Sequence, residues 1–347
     1  MNGSKARFVT VLLTAAAGLA ACDGINDPSQ DGNLVPRTAD EDSTIPSVAF
    51  AGTVFHLQTY GDPSKPVVIF LHGGPGGDFR GFGRLNDRQG GYALTDDHFV
   101  VMWDQRGSGL SKRHDCDVFT NDRVEADLDE LVDRVSPGRP VTLIGESWGG
   151  MYASLYINHH PDKVAAAVLI EPGPLNGKMF DAVIGDLYDI DVFSEWLNDD
   201  AWDGKFFSPD DHARADYHRL LGMRDSQPKF HQSAQDPAPV WRLGAVANHC
   251  LMDHSVKDGK GAYDFTDHLA AFTKQVLFIT GAESEVLGAT LQAKQRQFYP
   301  ASQLVTIAGA GHDVGWTHAA ETLAAIHAYL ADLAALAALA DLGTVGQ

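Results

Sequence analysis

Val141-Thr142-Leu143-Ile144-Gly145-Glu146-Ser147-Trp148-Gly149-Gly150-Met151 decides how this chain folds. Its β-branched and aliphatic start predicts a strand, the glycine-flanked serine a sharp turn, and the run from Met151 to His159 a helix. Gly145 and Gly149 fall where a strained turn brings backbone and neighbours close, so the Ser147 hydroxyl is expected to stand exposed at the strand's end. A lone G-x-S-x-G arises by chance; the strand before it and the helix after it are what make Ser147 a candidate nucleophile. The N–H of Trp148 and the helix dipole would both favour negative charge developing beside that serine.

Working outward, Val67-Val68-Ile69-Phe70-Leu71 is a continuous apolar run, the signature of a strand buried on both faces. It ends in His72-Gly73-Gly74-Pro75-Gly76-Gly77, a loop that leaves backbone N–H groups available to an oxyanion. A phosphate is the poorer guest, because no Gly-Lys-Ser/Thr follows. Phe99 to Trp103 is a second buried strand, running into Asp104-Gln105-Arg106-Gly107-Ser108-Gly109. Val48 to Thr59 reads as an opening strand pair, and Ala165–Ile170, Val276–Thr280 and Gln303–Ile307 as later strands. Val124, Leu128, Leu131, Val132 and Val135 at helical spacing predict a helix over Asp122–Val135, stopped by Pro137-Gly138-Arg139-Pro140. Fifteen histidines make any one unremarkable, but His312 follows a strand in the small-residue loop Ala308-Gly309-Ala310-Gly311, after the serine in chain order.

HGGPGG, WDQRGSG and GESWGG, in this order, resemble the α/β-hydrolase fold and in particular the proline iminopeptidase family of serine peptidases, from about Ala49 to Leu333. The resemblance implies an α/β fold, a mostly parallel central sheet flanked by helices, with an inserted helical cap. It implies acyl transfer by Ser147 and His312, with the N–H groups of Gly74 and Trp148 as oxyanion hole and no cofactor or metal. It also implies that Asp104 and Arg106 brace the active-site loops. The family's triad acid lies in a Gly-x-x-Asp after the strand that ends at Thr280, but Ser284 occupies that aspartate's position here. A serine is not ionised and cannot hold an imidazolium, so a glutamate is expected instead. Glu285 is the expected acid, with Glu283 and Glu171 as alternatives. Family cap glutamates bind the substrate's α-amino group, whereas the insertion here offers Glu195 alone. The resemblance implies short peptides as the substrates; this departure in the insertion makes small esters or lactones the alternative, and a binding lipoprotein that has lost the reaction is a third reading.

Beyond this core, a net charge of −20 argues against a nucleic-acid partner. Lys5 and Arg7, the apolar run Phe8 to Ala20 and Leu19-Ala20-Ala21-Cys22 read as a bacterial lipoprotein signal. Residues 1–21 would be cleaved and Cys22 lipidated, anchoring an exported protein to a membrane facing the periplasm or the cell exterior. Residues 22–46 read as a flexible acidic tether, 47–171 and 271–333 as the hydrolase core, 172–270 as the helical cap, and 334–347 as a helical extension. Most of the insertion's aromatics, from Phe180 to Trp241, are expected to be its own core. Cys116 and Cys250 could pair in an oxidising compartment or remain buried thiols. His159-His160 and the His249, His254 neighbourhood lack metal-site spacing.

Overall fold

The aliphatic runs form one eight-stranded sheet, seen in a computed structural model that describes residues 35–187, 211–225 and 236–344. The strands are β1 (Ser47–Phe50), β2 (Thr53–Tyr60), β3 (Val67–Leu71), β4 (Phe99–Trp103), β5 (Val141–Glu146) and β6 (Val164–Ile170). After a two-stranded ribbon, β7 (Val256–Lys257) with β8 (Lys260–Gly261), come β9 (Val276–Gly281) and β10 (Ser302–Ile307). Their order across the main sheet is β1-β2-β4-β3-β5-β6-β9-β10, with β2 antiparallel to both neighbours and all later pairs parallel. The α/β-hydrolase architecture expected from the sequence is the one observed.

Why the runs are continuous rather than alternating follows from the two cores. Val67, Ile69, Leu71 and Leu143 face one apolar cluster, while Val68, Phe70 and Ile144 face the other. Helices cover both faces, as parallel strands require. Asn121–Val135 lays Val124, Leu128, Leu131 and Val132 on the first face; its start is capped by the Thr120 side chain, which accepts from the Arg123 amide. Ala319–Thr344 covers the second face with Leu323, Ile326 and Tyr329, and its expected extension is one continuous helix with the rest, carrying Leu336 and Leu339 exposed.

Asp104 and Arg106 brace the loops separately, not as a pair. Asp104 is fully buried: Oδ2 accepts from His56 Nδ1 at 2.7 Å and the Leu110 amide at 2.8 Å, and Oδ1 from the Phe79 amide at 3.0 Å. Arg106 instead grips Asp127 through two parallel bonds of 2.7 Å. Desolvated charges in this density persist only when every lone pair and proton is satisfied, which fixes the turn after β4 in one conformation.

One sequence expectation changes here, and one question the sequence left open is answered. The tether was expected to run free to residue 46, yet from Val35 the chain is docked: Val35, Thr38 and Ala39 are buried, and the Ala39 amide donates to Leu110 O at 2.7 Å. Three small or apolar side chains and an edge-type backbone bond outweigh the acidic composition that predicted a solvated segment. The cysteines, left open by the sequence, are joined: Cys116 and Cys250 form a disulfide with Cα atoms 5.5 Å apart. It ties the loop after β4 to the helix Ala245–Ser255, across 134 residues of sequence. The insertion contains the helices Gly177–Leu187, Asp211–Asp225 and Ala245–Ser255. The expected signal peptide, Cys22, Glu195 and the aromatics from Tyr188 to Phe207 lie outside the described residues.

Candidate active site

Ser147 sits between β5 and the helix Trp148–His159 with φ 54° and ψ −117°, a region an L-residue adopts only under constraint. Its surroundings supply the constraint. A Cβ on Gly149 would lie 1.8 Å from Leu71 O, and one on Gly145 2.2 Å from Gly149 O. Only glycine lets the helix start close down on the strand ends at this distance, and the Ser147 amide then donates to Ile170 O at 3.0 Å. The tight elbow expected from the sequence is present.

The His72–Gly77 loop leans directly on this turn. A Cβ on Gly73 would meet Ser147 Cβ at 3.1 Å. Among the described residues, neither the Gly74 N–H nor the Trp148 N–H has a protein acceptor, so both can serve an incoming oxygen. His72 is buried and held by its Nδ1–H to Gly73 O at 2.9 Å, while its Nε2 accepts the Gln105 amide at 3.0 Å. Burial lowers its pKa and keeps it neutral, as this bonding requires. The Gln105 side chain links both sides of the site, donating to His72 O at 2.9 Å and accepting from Trp148 Nε1 at 3.0 Å.

The carboxylate beside His312 is not that of Glu285, the expected residue, but that of the alternative Glu171. Glu285 and Glu283 are exposed, and the carboxylate that meets His312 belongs to Glu171, with Oε2 2.7 Å from Nδ1. The reason is strand adjacency. Ile170 pairs with Ile279, which sets Glu171, the residue just after β6, beside the end of β9. There Oε1 accepts from the Thr280 hydroxyl at 2.7 Å and the Gly281 amide at 2.8 Å. Ser284, in the position where the family carries aspartate, donates its hydroxyl to Glu171 Oε2 at 2.8 Å. The serine thus donates to the same carboxylate oxygen that meets His312. Glu171 pays for this placement with φ 41°, a second strained residue at the site. Gly281 makes room for the histidine loop, since a Cβ there would sit 2.3 Å from Ala310 O and 2.5 Å from Gly311 O.

The electrostatics fit a charged-capable pair. Burial opposes the Glu171 carboxylate, but the bond and charge of His312, with Thr280 and Gly281, outweigh it and hold its pKa below the ordinary value. Burial likewise opposes the His312 imidazolium; the bond and charge of Glu171, then the charges of Glu146 and Asp313, outweigh it and raise its pKa. Glu146, the variable residue of the elbow motif, is the carboxyl that sequence reasoning passed over. Burial pushes it up to about 7, the charge of His312 opposes this, and Asp313 and Glu171 add to it. A raised carboxyl pKa means the folded state binds more protons than the unfolded one between about 4.5 and 7, so this group costs stability as pH rises through that window. Glu146→Gln should therefore raise the thermal midpoint relative to wild type at pH 8 and leave it near wild type at pH 4. Equal shifts at both pH values would contradict the assignment.

The comparisons with known proteins support the fold. A family model described as alpha/beta hydrolase fold matches residues 66–319. The proline iminopeptidase of Lactobacillus helveticus is 32% identical over 124 residues, 35% of this chain and 40% of the relative's length. The chain thus spans about two-fifths of that relative. A probable proline iminopeptidase of Leptolyngbya boryana is 26% identical over 245 residues, 68% of this chain and 70% of the relative. Among solved structures, a proline iminopeptidase from Mycobacterium smegmatis has a TM-score of 0.57 at 17% identity, covering 84% of this chain and 99% of that one. An enol-lactonase from Burkholderia xenovorans LB400 has a TM-score of 0.56 at 17% identity, covering 82% and 100%. At these identities the two structures speak for the fold alone.

Proposed function

This chain belongs to the α/β-hydrolase-fold family, and from that membership and the site geometry we propose that it is a serine hydrolase of the proline iminopeptidase type, with a Ser147-His312-Glu171 triad. The observation that carries the reading is the 2.7 Å bond between His312 and the buried Glu171 carboxylate, beside a strained, glycine-enclosed serine elbow whose Ser147 amide donates to Ile170 O, one residue before that carboxylate. Ser147 Oγ attacks the substrate carbonyl carbon as its proton passes to His312 Nε2, since Nδ1 is engaged by Glu171. The carbonyl oxygen takes the negative charge and is held by the N–H groups of Gly74 and Trp148. Collapse of this intermediate breaks the bond to the leaving amine or alcohol, which takes the proton from His312. Water then adds to the acyl-enzyme by the same route in reverse and frees Ser147.

The substrate in this reading is a short peptide that loses its N-terminal residue. A second reading, hydrolysis of small esters or lactones, is favoured by one feature: Glu195 is the insertion's lone glutamate, where the family uses glutamates on the α-amino group. Proline 4-nitroanilide against 4-nitrophenyl butyrate separates the two. Cleavage of the anilide is expected; ester cleavage with no amide cleavage would reject the peptidase and leave the esterase.

We also infer export and lipid anchoring through Cys22. The charge, apolar run and small residues before that cysteine support it, as does a disulfide, which suits an oxidising compartment. Mass spectrometry of the mature N-terminus should find an acylated Cys22, and an unmodified Met1 start would reject the anchor.

A further inference from the structure

The oxyanion loop is held from the insertion as well as from the core. The Gly244 amide donates to Gly76 O at 2.6 Å, and Asn248 Nδ2 donates to Pro75 O at 2.7 Å. The two surfaces are in tight contact, because a Cβ on Gly76 would lie 2.3 Å from Gly244 O and 3.2 Å from Asn248 Cβ. Asn248 is one helical turn into Ala245–Ser255, and that helix is itself fixed at several points. Its first amide, Ala245, donates to Asp216 Oδ1 at 2.8 Å. Asp216 Oδ2 also accepts from Arg113 Nε at 2.9 Å, from the loop after β4, and from Arg242 Nε at 2.6 Å. Two residues past Asn248, Cys250 is bonded to Cys116. A rigid helix therefore presents one amide side chain to the loop whose Gly74 N–H must point at the developing oxyanion.

We propose that Asn248 is a positioning residue for the oxyanion hole: its side-chain amide fixes the Pro75 carbonyl, and with it the direction of the Gly74 N–H, making the insertion part of the catalytic machinery. This rests on the serine hydrolase reading above. The Pro75 carbonyl lies two peptide units beyond the one that carries the Gly74 N–H, with the Gly74-Pro75 bond between them, so loss of the Asn248 bond frees the segment that aims the donor. Misplacement of a donor by a fraction of an ångström is felt in the transition state far more than in substrate binding. An insertion that only covers the substrate would behave in the opposite way, altering KM and leaving kcat.

The test uses the full chain with 4-nitrophenyl acetate as substrate and phenylboronic acid as a tetrahedral analogue. Asn248→Ala and the near-isosteric Asn248→Asp, which cannot donate, should both lower kcat about 10- to 100-fold with KM changed less than about twofold. Affinity for the boronic acid should fall in parallel, and thermal midpoints should stay near wild type. Asn248→Asp with wild-type kcat and wild-type boronic acid affinity would overturn the proposal, as would a rise in KM with kcat unchanged. If wild type itself fails to turn over the ester and to react with a fluorophosphonate, the hydrolase reading falls instead, so the two failures are distinguishable.

Discussion

Glu171→Gln will lower kcat by roughly 10³- to 10⁴-fold while the protein stays folded, as expected when the carboxylate behind a catalytic imidazole is made neutral. The carboxylate does two things at once: it fixes the Nδ1–H tautomer of His312 and stabilises the imidazolium formed when Ser147 loses its proton. The amide oxygen can keep the bonds from Thr280 and Gly281 while its NH2 donates to a turned Ser284 hydroxyl, so folding is retained, but the amide offers no charge. It can also present an N–H to Nδ1, which selects the wrong tautomer. Glu285→Gln and Glu283→Gln, on exposed positions after β9, should keep kcat within about twofold of wild type, since surface changes away from the reacting groups have small effects. Steady-state kinetics on a 4-nitrophenyl ester distinguishes the three. A Glu285→Gln loss equal to that of Glu171→Gln would return the acid to the position expected from the sequence.

The largest effect on stability is expected at Gly149→Ala. The added Cβ would stand 1.8 Å from Leu71 O and 2.9 Å from His72 O. Both are backbone atoms, one at the end of β3 and one in the oxyanion loop, so no rotamer can relieve the overlap. Moving either strand or helix start breaks the packing of the central β3-β5 pair, and a loss of roughly 3 kcal/mol or more is expected. Gly83→Ala is the control: it lies in the short helix Gly83–Asn86 with nothing within 4 Å of the added atom, and should change stability by less than about 1 kcal/mol. Urea denaturation monitored by circular dichroism measures both. A Gly149→Ala protein as stable as wild type would mean that the elbow is not the close-packed turn described above.

How far the site could be read from the sequence depended on whether its residues announce themselves locally. Ser147 did, because a nucleophile elbow needs small residues on both sides and a strand and helix around it, and all are contiguous. His312 did through its small-residue loop and its order in the chain. The acid did not, because its identity depends on β6 lying against β9, a pairing between residues more than a hundred positions apart. One signal was present: Ser284 at the family's aspartate position leaves the histidine's carboxylate partner to another strand, and Glu171 stands just past the end of a strand one step nearer Ser147. The same limit explains the disulfide and the docked segment from Val35, which are settled by distance and surface fit and not by composition. The central strands were legible, since a sheet buried on both faces leaves a nearly continuous apolar run in β3, β4, β6 and β9.

Whether this arrangement is a working triad comes down to the reactivity of one hydroxyl. A fluorophosphonate reacts rapidly only with a serine that has a base beside it and an oxyanion hole in front of it. Mass spectrometry of the digested, labelled protein should find a single phosphonyl adduct on the peptide that contains Ser147, formed at least about 10³-fold more slowly in Glu171→Gln. Folded wild-type protein that leaves Ser147 unmodified, or that is modified equally fast with Glu171 replaced, would contradict the Ser147-His312-Glu171 triad.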